Sequence, residues 1–178
     1  MAKILNDAFG IVRGFMSTIH GYTSSQNLVD GPNKDLRRAR AAAENIVPSS
    51  TGATEAVAET IPALKGKLTG LAFRVPVVDG SITDFVVELN KAVTVEEINR
   101  AFKKAAQGVL KGVVEYTDAP LVSRDIIGNQ HSCIFDSSLT QVLGKGSRGN
   151  LVKVMGWYDN EWGYSNRMID IIKVVSRP

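Results

Sequence analysis

The sequence predicts an α+β domain: a mixed, largely antiparallel sheet with helices on one face. Three observations carry this reading. Strand-like segments outnumber helical ones without regular βαβ alternation. The strand-like runs at 68–75 and 82–89 are joined by a turn at Asp79-Gly80-Ser81, too short for a parallel crossover. No Gly-rich dinucleotide fingerprint lies between a strand and a helix. The chain has 178 residues, 44% hydrophobic and 22% charged, which suits one cored domain and excludes global disorder.

The elements follow in order. Residues 2–8 read as a short helix ended at Phe9-Gly10, and 11–20 as a strand rich in branched and aromatic residues. A long connection, Gly21 to Pro48, carries turn chemistry at Asp30-Gly31-Pro32-Asn33; connections of this length are usually functional. Residues 53–61 read as a helix closed by Pro62. After the strands at 68–75 and 82–89, Thr94-Val95-Glu96-Glu97 has the capping-box pattern, and Ile98, Ala101, Phe102 and Ala105 share one helix face up to Gly108. Strand-like pieces follow at 112–116, 132–135 and 151–157, and a helix at 165–175.

Composition removes several function classes. Twenty-one Lys and Arg against 18 Asp and Glu give a net charge of +3, a weak pull on acidic partners. One cysteine excludes an internal disulfide, and with two histidines it cannot build a common zinc site, so no metal is expected. Cytoplasm is the expected compartment. No apolar run reaches the roughly 18–20 residues of a membrane span, and Met1–Leu5 lacks a signal-peptide core. The cluster Lys34, Arg37, Arg38 and Arg40 lacks interleaved aromatics, so no nucleic acid is expected; it reads as a solvated face or as one or two anion contacts.

Five features carry candidate chemistry, each with a plainer reading beside it. His20, at a strand end, has the pKa range of a general base, or is a half-buried histidine bonded to backbone. Ser49-Ser50-Thr51-Gly52 precedes a helix, where free amides and the helix dipole favour an anion, or forms a simple N-cap. Arg74 ends an apolar strand and needs an anion or carboxylate if buried; it otherwise reaches solvent or pairs with Asp84 or Glu88. Cys133 follows His131 closely but reads as a packed thiol. The run Trp157-Tyr158-Asp159-Asn160-Glu161-Trp162-Gly163-Tyr164 is a polar network among aromatics, or a turn before the last helix.

Together these segments resemble the C-terminal, catalytic half of phosphorylating glyceraldehyde-3-phosphate dehydrogenases. The resemblance rests on Thr18-Ile19-His20-Gly21-Tyr22-Thr23, Lys34–Ala43, Ser50-Thr51-Gly52-Ala53, Phe73-Arg74-Val75-Pro76 and Trp157–Arg167, in the family's order. It implies His20 as the residue that activates the nucleophilic cysteine and then serves as acid and base. Thr23 and Arg74 match residues holding the substrate's C3 phosphate and hydroxyl, and Arg38 an arginine beside the phosphate sites. Thr51 and Gly52 match the site of attacking phosphate. Asn160 matches the asparagine that orients the nicotinamide carboxamide, with Glu161 and Tyr164 around it.

The resemblance also implies an organisation: residues 1–178 as catalytic domain, 21–48 as the S-loop near a neighbouring subunit's cofactor, 165–178 as C-terminal helix. NAD or NADP would be held mostly by a Rossmann domain absent from this chain, within a homotetramer acting on glyceraldehyde 3-phosphate and inorganic phosphate. The family's nucleophile motif, Ser-Cys-Thr-Thr-Asn, falls upstream of Met1, so the chain alone is expected to be inactive. Gly21 stands where serine is common and Val77-Val78 replaces Thr-Pro. Erythrose-4-phosphate dehydrogenase and a non-enzymatic interaction fragment remain as alternatives.

Overall fold

The computed structural model describes residues 1–176. Among them, seven strands form one sheet: β1 (Ile11–Gly21), β2 (Val47–Ser49), β3 (Leu68–Val75), β4 (Ser81–Val93), β5 (Val114–Thr117), β6 (Cys133–Lys145) and β7 (Arg148–Tyr158), in the order β2-β3-β1-β4-β7-β6-β5. Only β1–β3 and β5–β6 are parallel. The helices are α1 (Ala2–Phe9), α2 (Ala53–Thr60), α3 (Val95–Gln107) and α4 (Trp162–Val175). The α+β expectation holds, with a mixed sheet that is mainly antiparallel.

The core lies between one sheet face and α1, α2 and α3. Ile4 and Leu5 from α1 and Ile98 and Phe102 from α3 meet Phe85, Val87, Leu89, Phe135, Val152 and Val154 from the sheet. Phe102 stacks on Phe135 with ring centroids 3.8 Å apart. Gly10 ends α1 at φ +73°, a backbone conformation L side chains rarely adopt, and turns the chain straight into β1. At α3 the capping box forms: Thr94 Oγ1 accepts from Glu97 N at 3.3 Å, and Thr94 N donates to Glu97 Oε2 at 2.8 Å. These two bonds satisfy donors that the helix leaves without intrahelical partners.

Three sequence expectations are corrected. The strands β3 and β4 run antiparallel but do not pair, because β1 lies between them. Residues 76–80 arch over the end of β1, where Tyr22 N donates to Val77 O at 3.0 Å; that arch spans about 9–10 Å, two strand spacings. Strand β6 continues ten residues past its expected end at Phe135. In that polar stretch buried Asp136 accepts from Ser138 Oγ at 2.6 Å and Trp157 Nε1 at 3.2 Å, which offsets the burial of its charge. Helix α4 starts at Trp162, earlier than expected, because Asp159 Oδ1 accepts from the Glu161 and Trp162 amides at 2.9 and 2.7 Å. The expected end of that helix, Arg177 and Pro178, lies outside the described residues.

Candidate active site

Strand alternation puts Met16, Thr18 and His20 on one face of β1, and the last of them at the mouth of the sheet. His20 Nδ1 lies 2.6 Å from the Gly21 carbonyl oxygen and 2.9 Å from an Arg74 guanidinium nitrogen. That same guanidinium nitrogen donates to Gly21 O at 3.1 Å and Thr23 Oγ1 at 3.4 Å. A carbonyl only accepts and a guanidinium only donates, so Nδ1 donates to Gly21 or accepts from Arg74 but not both. In the neutral tautomer that donates across the shorter contact, Nε2 is unprotonated and free to take a proton. Burial lowers the His20 pKa below its ordinary value. The Gly21 carbonyl opposes this, Arg74 adds to it, and Glu161 opposes it.

Parallel pairing sets His20 directly beside Arg74 on β3. Arg74 is half-buried and does not pair with Asp84 or Glu88, which bind Lys153 at 2.8 Å and Arg13 at 2.8 Å. Its Nε is buried without a partner, and burial together with neighbouring Arg38 pulls its pKa down. Arg38 comes out of the long 22–46 connection and donates to Ser49 on β2 through two guanidinium nitrogens. The rest of that basic cluster points elsewhere, with Arg40 on Asp30 at 3.1 Å.

A cleft of about 410 Å³ joins His20 and Arg74 to Ser50, Thr51 and Ala53 at the start of α2. Gly52 caps that helix without a side chain, and a Cβ there would meet nothing within 4 Å. Thr51 Oγ1 accepts from Ala53 N at 3.2 Å, but no side chain caps the helix, and Thr51 borders the cleft. The Arg74 guanidinium, the hydroxyls of Ser50 and Thr51 and a helix N-terminus border this cleft, a donor-rich surface suited to phosphate oxygens.

A second cleft of about 280 Å³ lies on the other side of His20, lined by Tyr158, Asn160, Tyr164, Arg167 and Ser132. Asn160 Nδ2 points to Glu161 Oε1 at 3.5 Å. The two clefts share His20, Tyr158 and Ser132. Thr23 and Arg38 stand behind the first cleft through Arg74 and Ser49 rather than on its lining.

Sequence reasoning missed Ser81 and left Tyr158 inside a longer run. Ser81 was read only as a turn residue, yet it is 1% exposed and binds Asn160; a buried hydroxyl one residue into a strand was the available signal. Cys133 packs against the core, its Sγ lying where a Cβ on Gly156 would come within 2.7 Å. Burial pushes its thiol pKa up, against the thiolate a nucleophile needs. His131 turns instead to Glu115 at 3.0 Å and Asn129 at 2.8 Å. Among the described residues there is no metal-binding group of three or more ligands, and no helix long and apolar enough to cross a membrane.

Comparison with known proteins identifies the family. The family described as glyceraldehyde 3-phosphate dehydrogenase, C-terminal domain, matches residues 1–160. Glyceraldehyde-3-phosphate dehydrogenase of Mycobacterium avium is 59% identical over 177 residues, covering 99% of this chain and 51% of the relative. Glyceraldehyde-3-phosphate dehydrogenase 2 of Streptomyces avermitilis is 57% identical over 171 residues, covering 96% and 50%. The Mycobacterium leprae protein is 55% identical over 177 residues, covering 99% and 51%. The chain spans about half the length of these relatives. On both the profile and the relatives, the chain belongs to the glyceraldehyde-3-phosphate dehydrogenase family and corresponds to its C-terminal domain.

Proposed function

We propose that the chain is the catalytic half of a phosphorylating, glycolytic dehydrogenase that converts glyceraldehyde 3-phosphate, inorganic phosphate and NAD or NADP into 1,3-bisphosphoglycerate, the reduced nucleotide and a proton. The observation that carries this reading is Arg74. Its guanidinium is partly buried beside His20, has an unpartnered Nε, and has no carboxylate partner among the described residues. Burying a cation without an anion is costly, so a phosphate completes the site.

In this reading Arg74 and Thr23 hold the substrate's C3 phosphate and hydroxyl. Thr51 and Gly52, at the α2 N-terminus, hold the attacking phosphate, with Arg38 behind both. His20 Nε2 takes the proton of a cysteine thiol supplied from outside this chain, since Cys133 is committed to the core. The same nitrogen would return that proton to the oxygen as the thiolate adds to the aldehyde, and take it back as the hydride leaves. The second cleft fits a planar carboxamide: Asn160 offers amide groups there, flanked by Glu161 and Tyr164. A nicotinamide held there would supply the acceptor for the hydride of the aldehyde carbon.

The complete protein would be a cytoplasmic homotetramer, with the 21–48 loop against a neighbouring subunit. The names of the relatives favour the three-carbon aldehyde over erythrose 4-phosphate, and comparing turnover of the two by the complete dehydrogenase decides between them. The test of the reading is Arg74→Leu in that protein. Losing charge-assisted bonds worth about 1.5–3 kcal/mol each should raise KM for the phosphorylated aldehyde by about 10–100-fold. An unchanged KM would remove Arg74 from the site.

A further inference from the structure

We propose that Ser81 is the positioning residue that fixes which way the Asn160 amide faces, so that its N–H₂ and not its oxygen meets the carbonyl oxygen of a pyridine carboxamide. The inference rests on the carboxamide-binding reading of the second cleft. Ser81 opens β4, and its hydroxyl is sealed from solvent at 1% exposure. Gly21 N is 3.3 Å from Ser81 Oγ. A backbone N–H only donates, so one lone pair of the hydroxyl is committed as acceptor. Ser81 Oγ then lies 2.9 Å from Asn160 Oδ1, and its single proton goes to that oxygen.

The consequence is geometric. With Oδ1 held inward by Ser81, Nδ2 is the end left facing Glu161 Oε1, at 3.5 Å. At that length the contact is too weak to compete with a ligand acceptor. The neighbouring backbone keeps Ser81 in place. Gly80 sits at φ +91°, and a Cβ there would come within 2.5 Å of the Ser123 carbonyl oxygen. Antiparallel pairing sets Ser81 opposite Tyr158. The Ser81 hydroxyl therefore ties the strand end that carries His20 to the loop that carries Asn160. A serine with no contact to ligand thus decides whether the second cleft presents a donor or an acceptor.

The test uses the complete dehydrogenase and two titrants, NAD and ADP-ribose, the latter lacking the nicotinamide. In Ser81→Ala the freed amide can turn, and the Kd for NAD is expected to rise by about tenfold, the loss of one well-placed hydrogen bond. The Kd for ADP-ribose should not change, which also reports that the variant is folded. In an Asn160→Ala background, Ser81→Ala should add nothing further. Equal weakening of both titrants, or an NAD affinity that Ser81→Ala leaves alone, would overturn the proposal. Wild-type protein that binds ADP-ribose and NAD equally tightly would instead overturn the carboxamide reading on which it rests.

Discussion

Replacing His20 by Asn in the complete dehydrogenase is expected to lower kcat by about 10²–10⁴-fold, the usual weight of a positioned general base. The KM for the aldehyde should move little, because Arg74 and Thr23 hold the substrate without the imidazole. Asn preserves a side-chain N–H for the Gly21 carbonyl, so the strand end survives the change. A variant retaining more than about a tenth of wild-type kcat would exclude His20 as the base.

The same residue has a signature that needs no turnover. In this chain, where the Cys133 thiol lies in the core, burial first and Arg74 in addition hold the His20 pKa below 6.5, against the Gly21 carbonyl and Glu161. Its proton NMR titration should have a midpoint below that value; a midpoint at or above it would contradict the packing around Arg74. The sign for stability follows. Below pH 6.5 the unfolded chain binds the proton more readily than the folded one. His20 therefore contributes stability above pH 6.5 that is lost as pH falls through the folded pKa.

The second large effect is structural. Phe102 is fully buried and stacked on Phe135, and it joins α3 to the sheet. Phe102→Ala should cost about 3–5 kcal/mol, through lost transfer energy and the cavity left between helix and sheet. Urea unfolding of the domain should show the midpoint fall with little change in slope. A loss under about 1 kcal/mol would mean that the helix can collapse onto the sheet, against the close packing seen around Leu5, Ile98 and Phe135. The exposed apolar side of α4, with Ile169, Ile172 and Val175 at 51%, 62% and 78% exposure, should tolerate substitution within this chain far better.

Much of this was legible before any coordinates. The capping box at Thr94, the Gly10 break and the strand at 11–20 are local features, set by side chains and backbone a few residues apart. His20, Arg74, Thr51 and Asn160 stand out locally (a base at a strand end, a cation ending an apolar strand, hydroxyls before a helix, an amide among aromatics), but each has a plainer reading, and their roles come from the family resemblance. The turn at Asp79–Ser81 was also visible, but not that its strands would be parted by β1. Sheet order depends on pairing energies between segments more than 50 residues apart, such as His20 and Arg74, which no local window contains.

The sequence by itself determined most elements and the fold class, because propensity, capping and hydrophobic pattern act over short range; the family of chemistry came from the resemblance of its motifs. Only the tertiary structure decided that Arg74 turns to His20 rather than to Asp84, and that Cys133 packs against the core. It also made Ser81 part of the site. Each of these outcomes turns on where a polar group finds its partner once water is excluded. That partner is chosen by the packed sheet, because leaving a buried donor or acceptor unpaired costs more than any local preference.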